Sequence, residues 1–96
     1  MKIVICCSQG MSSSALVMRM RQYVKKNDLD IEIAATTADR VINGDVDFDV
    51  LLLGPHIRTE KKRIEKILPD KKIAVIEMKS YGRLDGEAVV RQAIDL

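Results

Sequence analysis

The sequence predicts an α/β protein with a parallel sheet. Three observations carry that reading. Short apolar runs recur at residues 2–6, 31–35, 50–53 and 73–76. Segments with apolar residues at helical spacing lie between them, and each is closed by a turn signal. Strands that alternate with helices in this way pair in parallel through right-handed crossovers.

Taken in order, Lys2–Cys6 is a short apolar run, as expected of a strand covered on both faces. Residues 12–27 carry Ala15, Leu16, Met18, Met20, Tyr23 and Val24 on one helical stripe, with Arg19, Arg21, Lys25 and Lys26 on the remainder. Basic residues in a last turn suit the negative end of the helix dipole, and Asn27-Asp28 ends the helix. Ile31–Ala35 alternates as a second, edge-type strand. Thr37 is a candidate cap for a short helix or turn reaching Val41, and Asn43-Gly44 is a turn. Val50–Leu53 is the most apolar strand, stopped by Gly54-Pro55. Arg58–Leu68 reads as an amphipathic helix that buries Ile57, Ile64, Ile67 and Leu68. Ile73–Ile76 is the fourth strand, residues 77–83 a loop, and Asp85–Leu96 a closing helix with Ala88, Val89, Ala93 and Ile94 inward.

A chain of 96 residues has room for one core, so residues 1–96 read as a single domain. Its three aromatic residues, Tyr23, Phe48 and Tyr81, leave the core to aliphatic side chains. A net charge of +2 gives no electrostatic footprint for nucleic acid. The basic cluster Lys61-Lys62-Arg63 with Lys66 is interleaved with Glu60 and Glu65 and reads as a solvated helix face; the sharper alternative is a docking patch for an acidic partner. Adjacent Cys6 and Cys7 cannot staple the domain, and a thiol left over points to a reducing compartment. The apolar run after Lys2 is too short for a signal peptide, and no run approaches a membrane span. The expected location is cytoplasmic.

In open parallel sheets ligands bind beyond the carboxyl ends of the strands. Loops 7–14, 54–57 and 77–83 fall there. The first of them, Cys7-Ser8-Gln9-Gly10-Met11-Ser12-Ser13-Ser14, joins a strand to a helix. It suits an anion cradle. Gly10 permits positive φ, which lets successive N–H groups turn inward. Ser8, Ser12, Ser13 and Ser14 offer hydroxyl donors, and Ser12 or Ser13 doubles as a helix cap. A thiol ordinarily ionises near pH ~8.5, and a helix N-terminus lowers that value, so Cys7 is placed to be a thiolate nucleophile toward phosphorus. The plain alternative for a strand-end cysteine is packing. That role is assigned to Cys6, which lies inside the apolar run. Met11 is expected at the loop apex, either as an adaptable docking contact or as a plug against the core.

Other chemistries fail on particular residues. The loop has no G-x-G-x-x-G, no Walker lysine and no C-x-x-C. Asp45, Asp47 and Asp49 precede the third strand, at the end of the sheet away from the loop, so no metal site is expected. Cysteine phosphatases have C-x5-R-S/T, and here Ser13 stands at the arginine position. The loop therefore lacks a fixed cation, which fits holding a phosphoryl group and passing it on better than hydrolysing it.

On these residues the chain resembles the IIB component of the sugar phosphotransferase system (PTS), lactose/cellobiose (chitobiose) family. Residues 7–14 resemble that family's C-x-x-G-M-S-T-S. Leu51–Pro55 resemble its third strand and turn, and Tyr81–Gly86 its Y-G-x-x-[DN]-G. The resemblance implies a three-layer α/β/α domain with a four-stranded parallel sheet and flanking helices, akin to the low-molecular-weight phosphatase and flavodoxin-like topology. It implies that Cys7 takes phosphate from a phosphohistidine of a IIA protein. Cys7 then gives that phosphate to a sugar bound by the membrane IIC component, a β-linked disaccharide such as cellobiose, chitobiose or lactose. No cofactor is implied. Residues 8–14 would form the phosphate loop, and Gly54, Pro55, His56, Tyr81 and Gly82 would border the site or a docking face. Ser13 replaces a common Thr, and His56 a common Gln. His56 reads either as an exposed loop residue or as a donor to the phosphoryl group or a partner. The competing functions are a stand-alone cysteine phosphatase and a non-catalytic anion-binding module.

Overall fold

The computed structural model describes residues 1–6 and 11–96. Cys7–Gly10 lie outside the described residues, as do the side chains of Met11, Ser12 and Ser13. Four strands, β1 (Lys2–Cys6), β2 (Glu32–Thr36), β3 (Val50–Leu53) and β4 (Lys72–Val75), form one sheet in the order β2-β1-β3-β4. Every pairing is parallel, with Cys6 opposite Thr36 on one side and Leu53 on the other, and Leu53 opposite Val75. The α/β expectation holds, and β1, the most apolar with β3, lies inside the sheet.

Alternation along β1 and β3 sends side chains to two separate cores. Ile3, Ile5, Val50 and Leu52 meet Leu16, Val17, Met20 and Val24 of α1 (Met11–Lys26) and Val89, Val90 and Ala93 of α5 (Gly86–Ile94). Val4, Cys6, Leu51 and Leu53 meet Val41 of α2 (Ala38–Ile42) and Ile64 of α3 (Glu60–Ile67). The result is three layers. Cys6 is fully buried in the second core, as its packing role requires. Burying a leucine or isoleucine in such cores is worth ~1.5–3 kcal/mol each.

Several expectations need correction. Helix α1 begins at Met11, so Ser12 and Ser13 lie in its first turn rather than at its cap, and Met11 is a helical residue rather than a loop apex. Its buried stripe takes Val17 and leaves Ala15 and Met18 exposed. Thr37 occupies the cap position of α2 but its side chain makes no capping bond. The expected helix Arg58–Leu68 is shorter, with α3 spanning Glu60–Ile67 after a separate 3-10 turn at Pro55–Ile57, and Ile67 is 44% exposed because that helix ends with it facing water. In α5 Val90 is buried and Ile94 exposed. The stretch after β4 is not all loop: Met78–Gly82 form a short helix, α4.

Three helices end in the same way. The chain enters the left-handed region at Asp28 (φ 54), Gly44 (φ 80) and Leu84 (φ 52). The following amide then reaches back to close the last turn, as Asp85 N–H does to the Ser80 carbonyl at 2.9 Å. A leucine in that conformation costs about 1–2 kcal/mol. The Leu84 side chain offsets the strain by packing against the core of α1 and α5.

Candidate functional site

Parallel strands deliver their following loops to one edge. At that edge β1 ends on Cys6, whose carbonyl accepts the Gly54 N–H at 2.9 Å. The bond carries the β1–β3 ladder one step past Leu53. It ties the turn after β3 to the residue that immediately precedes Cys7. The next step of the sheet is similar: Ile76 N–H donates to the Leu53 carbonyl at 2.9 Å. Beyond it, Gln92 of α5 braces the end of β4, donating through Nε2 to the Val75 carbonyl at 2.8 Å and accepting the Glu77 N–H through Oε1 at 3.3 Å. An edge strand has a row of unmet backbone groups, and Gln92 answers two of them where α4 departs.

With both connections fixed, the turn Pro55–Ile57 and α4 face each other. Pro55, His56, Met78, Tyr81, Gly82 and Leu84 line one groove of about 450 Å³. Tyr81 is buried, and its ring meets the His56 imidazole edge-to-face, with centroids 5.1 Å apart and planes at 87°. His56 is exposed, and Met78 stands 66% exposed on the rim. Among the described residues of the lining, no side chain but His56 can carry a positive charge, and none is a carboxylate.

The expected border residues are therefore brought together. Pro55, His56, Tyr81 and Gly82 share the groove, and Gly54 is the buried hinge bonded to Cys6. Met78 and Leu84 belong to it as well; sequence reading missed Met78 because the segment was read as loop. Ser14 is exposed on α1. Cys7, Ser8, Gln9 and Gly10, the heart of the expected cradle, fall outside the described residues, as do the side chains of Met11, Ser12 and Ser13.

The Tyr81–Gly86 motif splits into separate tasks. Tyr81 and Gly82 serve the groove. Leu84 turns the chain, and Asp85 caps α5, its Oδ1 accepting the Ala88 N–H at 3.1 Å. Gly86 lets α5 lie against α1: a Cβ there would fall 2.5 Å from the Arg19 carbonyl carbon and 2.6 Å from the Met20 nitrogen. At Gly82 a Cβ would meet nothing within 4 Å among the described residues.

Known proteins agree with this architecture. A family profile described as "PTS system, Lactose/Cellobiose specific IIB subunit" matches residues 2–92. The oligo-beta-mannoside-specific EIIB component of Bacillus subtilis (strain 168) is 34% identical over 97 residues, covering 99% of this chain and 94% of its own length. The cellobiose-specific EIIB component of Lactococcus lactis subsp. lactis (strain IL1403) is 34% identical over 101 residues, covering 98% and 94%. The solution structure of the cellobiose-specific phosphotransferase IIB component protein from Borrelia burgdorferi superposes with a TM-score of 0.81 at 37% identity, over 99% of this chain and 89% of that one. The lactose-specific IIB component domain from Streptococcus pneumoniae, at 13% identity, shares the fold with a TM-score of 0.82 over 97% of this chain and 96% of its own. A match across nearly the whole sheet and its helices leaves one assignment: the chain belongs to the lactose/cellobiose-specific IIB subunits of the phosphotransferase system, its sugar-specific phosphotransferase components.

Proposed function

We propose that residues 1–96 form one IIB-type domain in which Cys7 carries a phosphoryl group between two partners. The donor is a phosphohistidine of a IIA protein, and the acceptor is a sugar held by the membrane IIC component. The observation that carries this reading is the bond from Gly54 N–H to the Cys6 carbonyl at the carboxyl edge of the sheet. It supports a nucleophile at the next residue, four residues before α1 begins at Met11. A sulfur in that sequence position is well suited to the amides and dipole of a helix N-terminus.

In the first step the Cys7 thiolate attacks phosphorus in line with the donor ring. An S–P bond forms as the N–P bond breaks, and the ring, protonated on its far nitrogen, leaves neutral. In the second a sugar hydroxyl oxygen attacks the same phosphorus. The S–P pair returns to sulfur, and the hydroxyl proton passes to a base on the acceptor side. Backbone and hydroxyl donors of Ser8, Gln9, Gly10, Met11, Ser12, Ser13 and Ser14 would stabilise the equatorial oxygens. Gly54, Pro55, His56, Tyr81 and Gly82, with Met78, form the docking border: exposed thioether and ring edges suit a surface that meets two proteins in turn.

Relatives of equal identity are named for oligo-beta-mannoside, galactose and cellobiose. The sugar is accordingly proposed only as a class, a β-linked disaccharide such as cellobiose, chitobiose or lactose, chosen by the IIC component. Among the described residues no helix is long and apolar enough to cross a membrane. That accords with a cytoplasmic protein that meets the membrane only through IIC.

The test is intact mass spectrometry after incubation with a phosphorylated IIA protein. One acid-labile phosphoryl group is expected on the wild type and on Cys6→Ser, and none on Cys7→Ser. Labelling of Cys7→Ser, or hydrolysis of an aryl phosphate with turnover, would replace the carrier reading.

A further inference from the structure

Both edge strands of the sheet give a backbone carbonyl to a helix side chain. On β4 it is Val75, held by Gln92. On β2 it is Ile33, whose carbonyl accepts two bonds from Arg21 of α1, from Nε at 3.1 Å and from Nη2 at 2.7 Å. Along a strand the N–H and C=O of one residue point to the same side, and successive residues alternate. The Glu32 N–H donates to the Met1 carbonyl, on the side of β1. The groups of Ile33 and Ala35 therefore point the other way, off the end of the sheet, where β2 is the outermost strand.

That edge has little else to close it. Sheet edges are ordinarily blunted by lysine, proline or a bulge. Glu32-Ile33-Ala34-Ala35-Thr36 contains neither lysine nor proline, and its register with β1 is unbroken from Lys2↔Glu32 to Cys6↔Thr36. Ala35 is exposed and carries only a methyl group. The opposite edge is better covered: β4 starts on Lys72, whose Nζ donates to the Leu96 carbonyl at 3.0 Å, and ends on the Gln92 brace.

The strand is also complementary to itself. Two copies set antiparallel about Ala34 would place Ile33 of one opposite Ala35 of the other, and Glu32 opposite Thr36, so no like charges meet. The outward groups of Ile33 and Ala35 would then exchange both N–H···O bonds, and two-fold symmetry repeats the exchange. Half of the acceptors in that ladder are the Ile33 carbonyls that Arg21 occupies.

We propose that the outer edge of β2 is a pairing surface for a second copy of this chain, and that Arg21 keeps it shut by holding the Ile33 carbonyl. The lock lies along the strand rather than in the groove between β3 and α4. Its donors come from a guanidinium, which offers a fixed fork of N–H groups and no acceptor, so it closes a carbonyl without presenting a new edge of its own.

The experiment is sedimentation equilibrium of tag-free protein over a concentration series, with circular dichroism verifying the fold of each variant. Wild type is expected to stay monomeric. Arg21→Ala is expected to self-associate about a hundredfold more tightly, about tenfold for each of the two charge-assisted locks that a symmetric pair must otherwise open. Adding Ala35→Pro removes an outward N–H and no bond to β1, and should return the monomer. Arg21→Gln, shorter and uncharged, reads the same direction should Arg21→Ala lose its fold. Arginine variants that associate no more tightly than wild type overturn the lock. Association that survives Ala35→Pro overturns β2 as the pairing surface.

Discussion

The two ends of the sheet are built from different materials. At the amino end, polar side chains are spent on one another. The Lys2 N–H donates to Asp49 Oδ2 at 2.7 Å while the Asp49 N–H returns to the Lys2 carbonyl at 2.9 Å, joining β1 to the chain entering β3. Lys2 also pairs with Glu32 at 3.4 Å. Lys71 donates to the Phe48 carbonyl at 2.9 Å, lies 3.7 Å from Asp47, and sits 5.2 Å from the Phe48 ring centre. At the carboxyl end the ties among the described residues include backbone bonds and one glutamine, and His56, Met78 and Tyr81 line a groove whose described lining has no carboxylate. One end is closed by its own charges. The other presents a mostly apolar groove.

Three substitutions would break or sharpen that contrast. The largest loss of stability is expected away from both ends, at the crossing that supports the groove. Gly86→Val drives a side chain into the backbone of Arg19 and Met20 and should cost about 3 kcal/mol, read from chemical denaturation. A variant as stable as wild type would mean the helices part freely. Next comes Asp49→Ala, which removes a charge-assisted bond at the amino end. About 1 kcal/mol is expected, with phosphoryl acceptance unchanged. The smallest change in stability, within ~0.5 kcal/mol, is expected from Gly82→Trp, because among the described residues nothing lies within 4 Å of a Cβ at Gly82. The same variant should slow acceptance from the IIA donor on the order of tenfold by obstructing the groove, about 1.4 kcal/mol of barrier. Normal acceptance kinetics would remove the groove from docking.

How much of this was legible depended on how local the signal was. Val50–Leu53 is an uninterrupted apolar run, and strand and boundaries agree with it. The second strand slid one residue, to Glu32–Thr36, because alternation on a half-covered edge strand marks its faces better than its ends. Helix phase was harder. Leu16, Val17, Met20 and Val24 form the buried stripe of α1, and Met18 is outside it because two residues turn a helix by about 200°, which sets Met18 opposite both Leu16 and Met20; hydrophobicity was read there ahead of phase. Met78–Gly82 escaped notice since five residues ending in glycine have no room for an amphipathic repeat. The groove followed the same rule. Gly54-Pro55 and Tyr81-Gly82 stood out as motifs, but the meeting of His56 with Tyr81 depends on β3 and β4 being neighbours in the sheet, which no short stretch encodes. Leu84 was unexpected for a further reason: a left-handed turn normally calls for glycine, and here core packing overrides that preference.

The seating of Gly86 on the main chain of α1 has a consequence for traffic through the site. Where two helices touch through their backbones, neither can roll or tilt without a collision at Arg19 or Met20. Helix α1 is thus held like a keel. On the carrier reading proposed above, such bracing would offer donor and acceptor the same outline and leave the phosphoryl charge to distinguish the loaded state from the empty one.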